Sequence, residues 1–339
     1  MKQSAFFIFV ILLASITMTL WYFWQNMQTE LNTPLNLESE IIFTIEPGMS
    51  LNQVADDLKQ HKLISQSHYL LLEAKLQGIE GKIKAGKYSI SPGTTPLQLL
   101  NQFVSGEVVN YTITIVEGWN FRQMLEAIAN HPDLEHTLKD MDSADIMGVL
   151  QIQTDFLEGQ FFPDTYKFPA GTSDVDILQR SHVRLNKILQ EEWEQRSENL
   201  PYQSPQEALI MASIIEKETG LASERSEIAG VFVRRLQKNM LLQTDPTVIY
   251  AMGENFNGNI QRKDLKIDSP YNTYVTPGLP PTPIALVGRE AIHAALHPAE
   301  GKTLYFVARG DGSHHFSETL EEHNRAVAKY QLGQGAIKN

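Results

Sequence analysis

The sequence contains no cysteine. That excludes a disulfide framework, a thiolate nucleophile and a cysteine-based zinc site, and leaves the compartment to be read from other features. Basic residues are also in deficit, with 28 Lys and Arg against 40 Asp and Glu and a formal net charge of −12. A nucleic-acid binder normally presents a basic face, so the charge argues against nucleic acid as a partner. There is no G-x-S-x-G elbow and no P-loop, and Gly310-Asp311-Gly312 is too generic to stand for one. His293 and His297 have i,i+4 spacing, and His314, His315 and His323 follow. H-E-x-x-H is missing, however, and spacing places no acidic third ligand. The sequence therefore predicts no metal site and no cofactor.

What is present begins with a long uncharged run, Ala5–Trp24. Its length at helical rise covers roughly the 30 Å hydrocarbon core of a bilayer. Lys2 precedes the run, whereas Gln25, Asn26, Gln28 and Glu30 follow it without a basic residue. That asymmetry predicts a cytoplasmic tip (1–4), one transmembrane anchor (5–24) and the rest of the chain outside the cytoplasm. Trp21 to Trp24 form an aromatic belt for the outer interface, where a cleaved signal peptide would need small residues. Residues 25–40 are polar and read as a tether.

A chain of 339 residues implies two or three domains. Three similar units follow the tether. Phe43–Gly48 precedes a helix-like Ser50–Leu58, Tyr88–Gly93 precedes Thr95–Phe103, and Ile113–Gly118 precedes Asn120–Ala129. Each reads as a strand, a glycine turn and an N-capped amphipathic helix, with a further helix over Ser67–Leu76. The units bind a glycan or act as spacers, and the sequence leaves both open. The predicted fold class is α+β, with a small module over 41–108, a connecting part over 109–200 and a core over 201–335. Residues 130–155 read as helix with loops. Within Phe156–Tyr166, aromatics and carboxylates suit sugar contacts or an ordinary buried turn. Helices are predicted over Val175–Ser197, Ile228–Lys238, Ile284–Leu296 and Ser317–Gln331, with a strand over Leu304–Ala308. Leu242–Tyr250 reads as a polar loop closed by Pro246.

Ser204–Gly220 organises the core. Ser204 is a candidate N-cap, Pro205 suits the first helical position, Glu207 completes a capping box, and Gly220 suits a left-handed C-terminal residue. At 100° per residue, Glu218 falls on the stripe of Met211, Ile214 and Ile215, and Glu216 points the other way. Burial and the negative helix end both disfavour an ionised Glu218, as a general acid requires. The competing reading pairs Glu218 with Arg225, Arg234 or Arg235, and Ser213 reads as a packing residue. Acid catalysis outside the cytoplasm fits cleavage of a glycosidic bond. A two-carboxylate hydrolase would take Asp245 as the second acid. A one-carboxylate enzyme would use a nucleophile supplied by the sugar.

Several ordered motifs resemble the YceG-like family of bacterial cell-wall enzymes. They are Ala212-Ser213-Ile214-Ile215-Glu216-Lys217-Glu218-Thr219, Leu242 to Tyr250, and Tyr271-Asn272-Thr273-Tyr274. Glu158-Gly159, Phe162 to Tyr166, Gly278-Leu279-Pro280-Pro281, and Gly312-Ser313-His314 with Phe316 extend the likeness over nearly the whole chain. The resemblance implies a LysM-like module after the anchor and a catalytic domain with one essential Glu. The implied reaction is lytic transglycosylation of nascent peptidoglycan, cutting the β-1,4 MurNAc–GlcNAc bond to leave 1,6-anhydroMurNAc ends and limiting strand elongation. The catalytic acid maps to Glu218, with Glu216 as the alternative. Glu158, Tyr166, Gln243, Thr244, Asp245, Tyr250, Tyr271 and Asn272 are the expected substrate-binding residues. The implied partners are glycan strands, the inner membrane, and peptidoglycan synthases or division and elongation proteins. The implied catalytic domain is periplasmic. A muramidase and a non-catalytic wall-binding scaffold are the alternatives.

Overall fold

A computed structural model describes residues 2–139 and 141–332. Position 1 of the expected cytoplasmic tip and positions 333–335 of the expected core lie outside the described residues. The chain forms two compact units, Met1–Tyr111 with Lys167–Gly171, and Thr112–Tyr166 with Thr172–Asn339.

The first unit opens with α1 (Lys2–Asn32), the one helix among the described residues long and apolar enough to cross a membrane. Large apolar side chains from Phe6 to Trp24 are exposed along it. This helix does not end where the apolar run ends. Residues 25–40, expected as a tether, continue it to Asn32, and Met27, Leu31 and Leu35 are buried in the core of the unit. Their i,i+4 spacing puts Met27 and Leu31 on one face of the helix. Leu35 N–H donates to Thr94 O at 2.8 Å, which secures the segment beyond.

The unit continues through β1 (Ile41–Ile45), α2 (Leu51–Gln60), α3 (Ser67–Gln77), β2 (Gly86–Ile90) and α4 (Pro96–Ser105). Strands β1 and β2 are antiparallel, with Phe43 opposite Tyr88, so alternate residues of both strands enter the core. The repeat seen in the sequence has a local physical basis. Gly48, Gly93 and Gly118 all have positive φ, and Ser50, Thr95 and Asn120 each close a capping box with a Gln three residues on.

The third copy consists of β3 (Asn110–Thr114) and α5 (Phe121–Ala129), followed by α6 (Ser143–Leu150) and β4 (Thr165–Pro169), which pairs with β3. The second unit then runs through α7 (Asp174–Glu194), α8 (Pro205–Glu218), α9 (Arg225–Gln237), α10 (Asp245–Met252), α11 (Arg289–Leu296), the hairpin of β5 (Tyr305–Ala308) and β6 (His314–Ser317), and α12 (Leu320–Val327). Helix α8 is the hub, contacting α7, α9, α10 and α11, and every residue from Ala208 to Ile215 is buried. Each fully buried Met, Ile or Leu there contributes about 1.5–3 kcal/mol. From Ala208 to Ile215 the helix is thus buried on all sides, where one apolar stripe was expected.

Several local expectations are corrected. Ser204 Oγ accepts Glu207 N–H, but the Glu207 carboxylate takes Gln203 N–H, so the box is not reciprocal. Thr219 caps α8 in extended conformation, and Gly220 is not left-handed. The Thr219 hydroxyl accepts Leu221 N–H at 3.0 Å, which turns the chain without a glycine's freedom. Pro246 lies in the first turn of α10, where its missing N–H costs nothing, so part of the expected loop is helix. Residues 284–288 are not helical because their donors bond outward. Ile284 N–H goes to Ser213 Oγ, Leu286 N–H to Trp119 O and Gly288 N–H to Glu216. His314–Ser317 is a strand, which delays the terminal helix to a capping box at Thr319.

Candidate active site

Glu218 is the last residue of α8, and its neighbours hold that end in place. Glu216 accepts Gly288 N–H at 3.0 Å, and Lys217 Nζ donates to Gly118 O at 3.0 Å. Glu216 is thereby tied to the α11 side, away from the cleft. Of the two acids, Glu218 is the one that lines the cleft. Glu218 lines a cavity of about 550 Å³ together with Gln243, Asp245, Tyr274 and His314.

The three residues after Leu242 alternate. Gln243 and Asp245 are exposed toward the cavity, whereas Thr244 is 2% exposed. Thr244 is the N-cap of α10 by position, yet its hydroxyl does not cap that helix. It donates to Glu218 Oε1 instead. Thr247 Oγ1 donates to Thr244 O at 2.7 Å and meets Thr273 Oγ1 at 2.8 Å, which ties the start of α10 to the 271–274 segment. Gln243 has a left-handed backbone (φ 52), held by its N–H to Thr273 O at 3.1 Å.

Burial pushes the Glu218 carboxyl up to about 7, and the Asp245 charge adds to the rise. The Thr244 hydrogen bond and the attraction of His314 oppose it. Arg235 does not pair with Glu218. The residue is 7% exposed, and its guanidinium donates to Leu304 O (2.7 Å), Leu242 O (2.9 Å), Leu241 O (3.0 Å) and Gln243 Oε1 (3.3 Å). Arg234 donates to Ala299 O and Thr303. Neither Arg234 nor Arg235 pairs with Glu218, whose carboxyl is desolvated beside the Thr244 hydroxyl.

Two expected residues are placed elsewhere. Tyr166 lies in β4, 4% exposed, with its hydroxyl donating to Phe162 O at 2.7 Å. Asn272 is fully buried, and its amide holds Leu265 O, Ile267 O and Tyr274 N–H. Both are internal struts, because their polar atoms are already used by the backbone. Glu158, Tyr250 and Tyr271 form a second cluster. Tyr250 OH donates to Glu158 Oε2 at 3.1 Å, Phe121 N–H donates to Oε1 at 3.0 Å, and the two tyrosine rings are 4.9 Å apart. Burial raises Glu158 to about 7 as well. Asp245 and Tyr250 stand five residues apart on α10, about 7.5 Å of helical rise, so one helix carries part of both clusters.

Two cleft residues inside the recognised motifs were not singled out from sequence. Tyr274 OH donates to Asp245 Oδ1 at 2.6 Å. His314 Nδ1–H donates to Glu224 Oε2 at 2.7 Å, and its backbone N–H donates to Oε1 at 2.9 Å, so one carboxylate holds both the ring and the backbone of His314. Membership of the motifs was the available signal.

A carboxyl raised toward neutrality by burial on the wall of an open polar cleft is the arrangement that general acid–base chemistry requires. Residues 43–329 match the model of the YceG-like family, and the chain belongs to that family. It is 34% identical over 311 residues to the endolytic murein transglycosylase of Bacillus subtilis (strain 168), covering 86% of this chain and 85% of that protein. A Streptococcus pneumoniae (strain D39) protein of the same name is 27% identical over 338 residues, covering 87% of this chain and 59% of the relative. A YceG-like protein of Listeria monocytogenes, known from a 2.6 Å crystal structure, shares 33% identity at a TM-score of 0.53. That match covers 86% of this chain and 100% of the Listeria chain.

The Thr244 contact makes a specific prediction. A donor to the carboxylate favours the charged form, so Thr244→Val raises the Glu218 pKa further. Wild-type activity should fall as pH rises through about 7, where Glu218 loses its proton. In Thr244→Val that descending limb should move up by roughly half a unit to one unit, with activity at pH 6 lowered no more than about tenfold. A pH profile of glycan release checks both.

Proposed function

We propose that the protein is an endolytic lytic transglycosylase that cuts the β-1,4 bond between MurNAc and GlcNAc within nascent peptidoglycan. The observation that carries this reading is Glu218, protonated to about neutrality beside an acid already engaged, since Asp245 takes the Tyr274 hydroxyl. The names of the relatives from Bacillus and Streptococcus support the same activity.

In the proposed reaction Glu218 donates its proton to the leaving O4 as the C1–O4 bond breaks. The resulting carboxylate takes the proton of the muramoyl C6 hydroxyl as O6 bonds to C1. The product is a 1,6-anhydroMurNAc end; Glu218 regains its proton and no water is consumed. Thr244 orients the carboxyl, Gln243 and Asp245 face the bound strand, and Tyr250 and Tyr271 offer ring faces to a neighbouring sugar. Within this proposal α1 is a single-pass inner-membrane anchor, with the N-terminus cytoplasmic and the catalytic unit periplasmic. The LysM-like module follows it, and the enzyme limits strand elongation alongside peptidoglycan synthases and the division or elongation machinery.

Digestion of purified sacculi by the detergent-solubilised full chain, with mass analysis of the new ends, tests the chemistry. Anhydro ends are expected. Reducing ends would replace this reading with a hydrolase using Asp245, which lines the same cavity.

A further inference from the structure

A further cluster of titratable side chains lies outside the cleft that holds Glu218. Glu192, near the end of α7, meets His293 and His297 at the end of α11, and one ligand atom from each lies within 4.8 Å of the other two. Glu192 and His293 are 101 residues apart, so sequence spacing could not supply the acidic third ligand that the two histidines lacked. Nothing in the proposed reaction uses these residues, and none of them lines the cavity of Glu218.

We propose that Glu192, His293 and His297 bind a divalent transition metal, zinc by chemistry. Two imidazoles and a carboxylate are a zinc-type donor set, and three protein ligands leave a fourth position for water. Around a tetrahedral zinc, ligand atoms stand about 3.3–3.5 Å apart, so the widest pair closes by roughly 1.5 Å or less. The exposed ring of His293, on a side chain 57% accessible, is free to make that adjustment. The outer contacts are those expected around metal ligands. Arg289 Nη1 donates to Glu192 Oε1 at 3.1 Å, which fixes the carboxylate and leaves Oε2 beside His293 Nδ1 at 2.8 Å. Ser197 Oγ stands 3.4 Å from His297 Nδ1, and the two imidazoles stack with centroids 4.3 Å apart. Glu192 is 8% exposed, so this is a carboxylate held in place rather than a loose surface acid. The metal ties α7 to α11, and α11 packs on α8, the helix that ends in Glu218.

The test is zinc titration of the detergent-solubilised full chain, stripped with a chelator, followed by calorimetry and thermal unfolding. One equivalent of zinc should bind at micromolar concentration or below and raise Tm by several degrees. Cobalt(II) in its place should give the intense visible absorption of a four-coordinate N/O site. His293→Gln and His297→Gln, both at positions with solvent access, should fold normally and each weaken binding at least tenfold. Absence of binding would overturn the proposal and leave an ionic cluster of Arg289, Glu192 and His293. So would zinc binding unchanged in the double histidine variant. Glycan cleavage by both single variants is expected to persist, which separates this proposal from the assignment of Glu218.

Discussion

Glu218→Gln should abolish glycan release from sacculi, by about a thousandfold or more, while leaving strand binding intact. The glutamine keeps an acceptor for the Thr244 hydroxyl but can neither donate nor retrieve the proton that the reaction moves. The same substitution should make the protein more stable at alkaline pH. The folded-state pKa is raised from 4.5 to about 7, so the folded protein binds this proton more tightly than the unfolded chain. The associated stability is fully present below 4.5 and lost as pH rises through 7. A shift of that size corresponds to roughly 3 kcal/mol, so the variant should unfold several degrees above wild type at pH 8 and converge with it near pH 4.5. Glu158 titrates in the same window but is present in both proteins, so the difference isolates Glu218. Thermal unfolding across pH, beside a sacculus assay, reads both halves. Full cleavage by the variant would remove Glu218 from the chemistry. Loss of both cleavage and strand binding would instead indicate a damaged cleft.

Arg235→Ala should produce the largest loss of stability among the cleft residues. Four acceptors rely on one buried guanidinium, which also stacks over the Tyr305 ring at 5.0 Å. Removing it strands buried carbonyls of the 241–242 segment and of Leu304, at a cost of about 3–5 kcal/mol. For a unit of this size that lowers Tm on the order of 10 °C. Activity should fall at temperatures where the variant is still folded, because Arg235 braces the segment that carries Gln243, Thr244 and Asp245. Arg235→Lys restores a donor without the fork geometry and should be intermediate in both respects. Wild-type stability in the alanine variant would show that the carbonyls are solvated without the guanidinium.

The features that were legible are local ones, whose determining residues lie within about one helical turn of each other. The capping boxes at Ser50, Thr95 and Asn120 and the glycine turns before them are of this kind. Helix phase also separated Glu218 from Glu216 before any contact was known. It did not show that α8 is covered on every side from Ala208 to Ile215 rather than on one stripe. The tether was misread because composition does not reveal that Met27 and Leu31 share a buried face. Among the expected sugar contacts, motif membership could not separate the exposed Gln243 and Asp245 from the buried Asn272 and Tyr166. Polar residues of the recognised motifs serve both as cleft wall and as internal strut.

The sequence by itself determined an apolar helix long enough for a membrane, a repeated strand–turn–helix unit, and a capped helix ending in an acid. Each depends on neighbours a few positions away, where backbone geometry fixes who meets whom. Only the tertiary structure decided that Thr244 spends its hydroxyl on Glu218, that Tyr250 bonds Glu158 across 92 residues, and that Glu192 completes a triad with His293 and His297. Those contacts form through space, after α7, α8, α10 and α11 have packed, and no spacing along the chain encodes them.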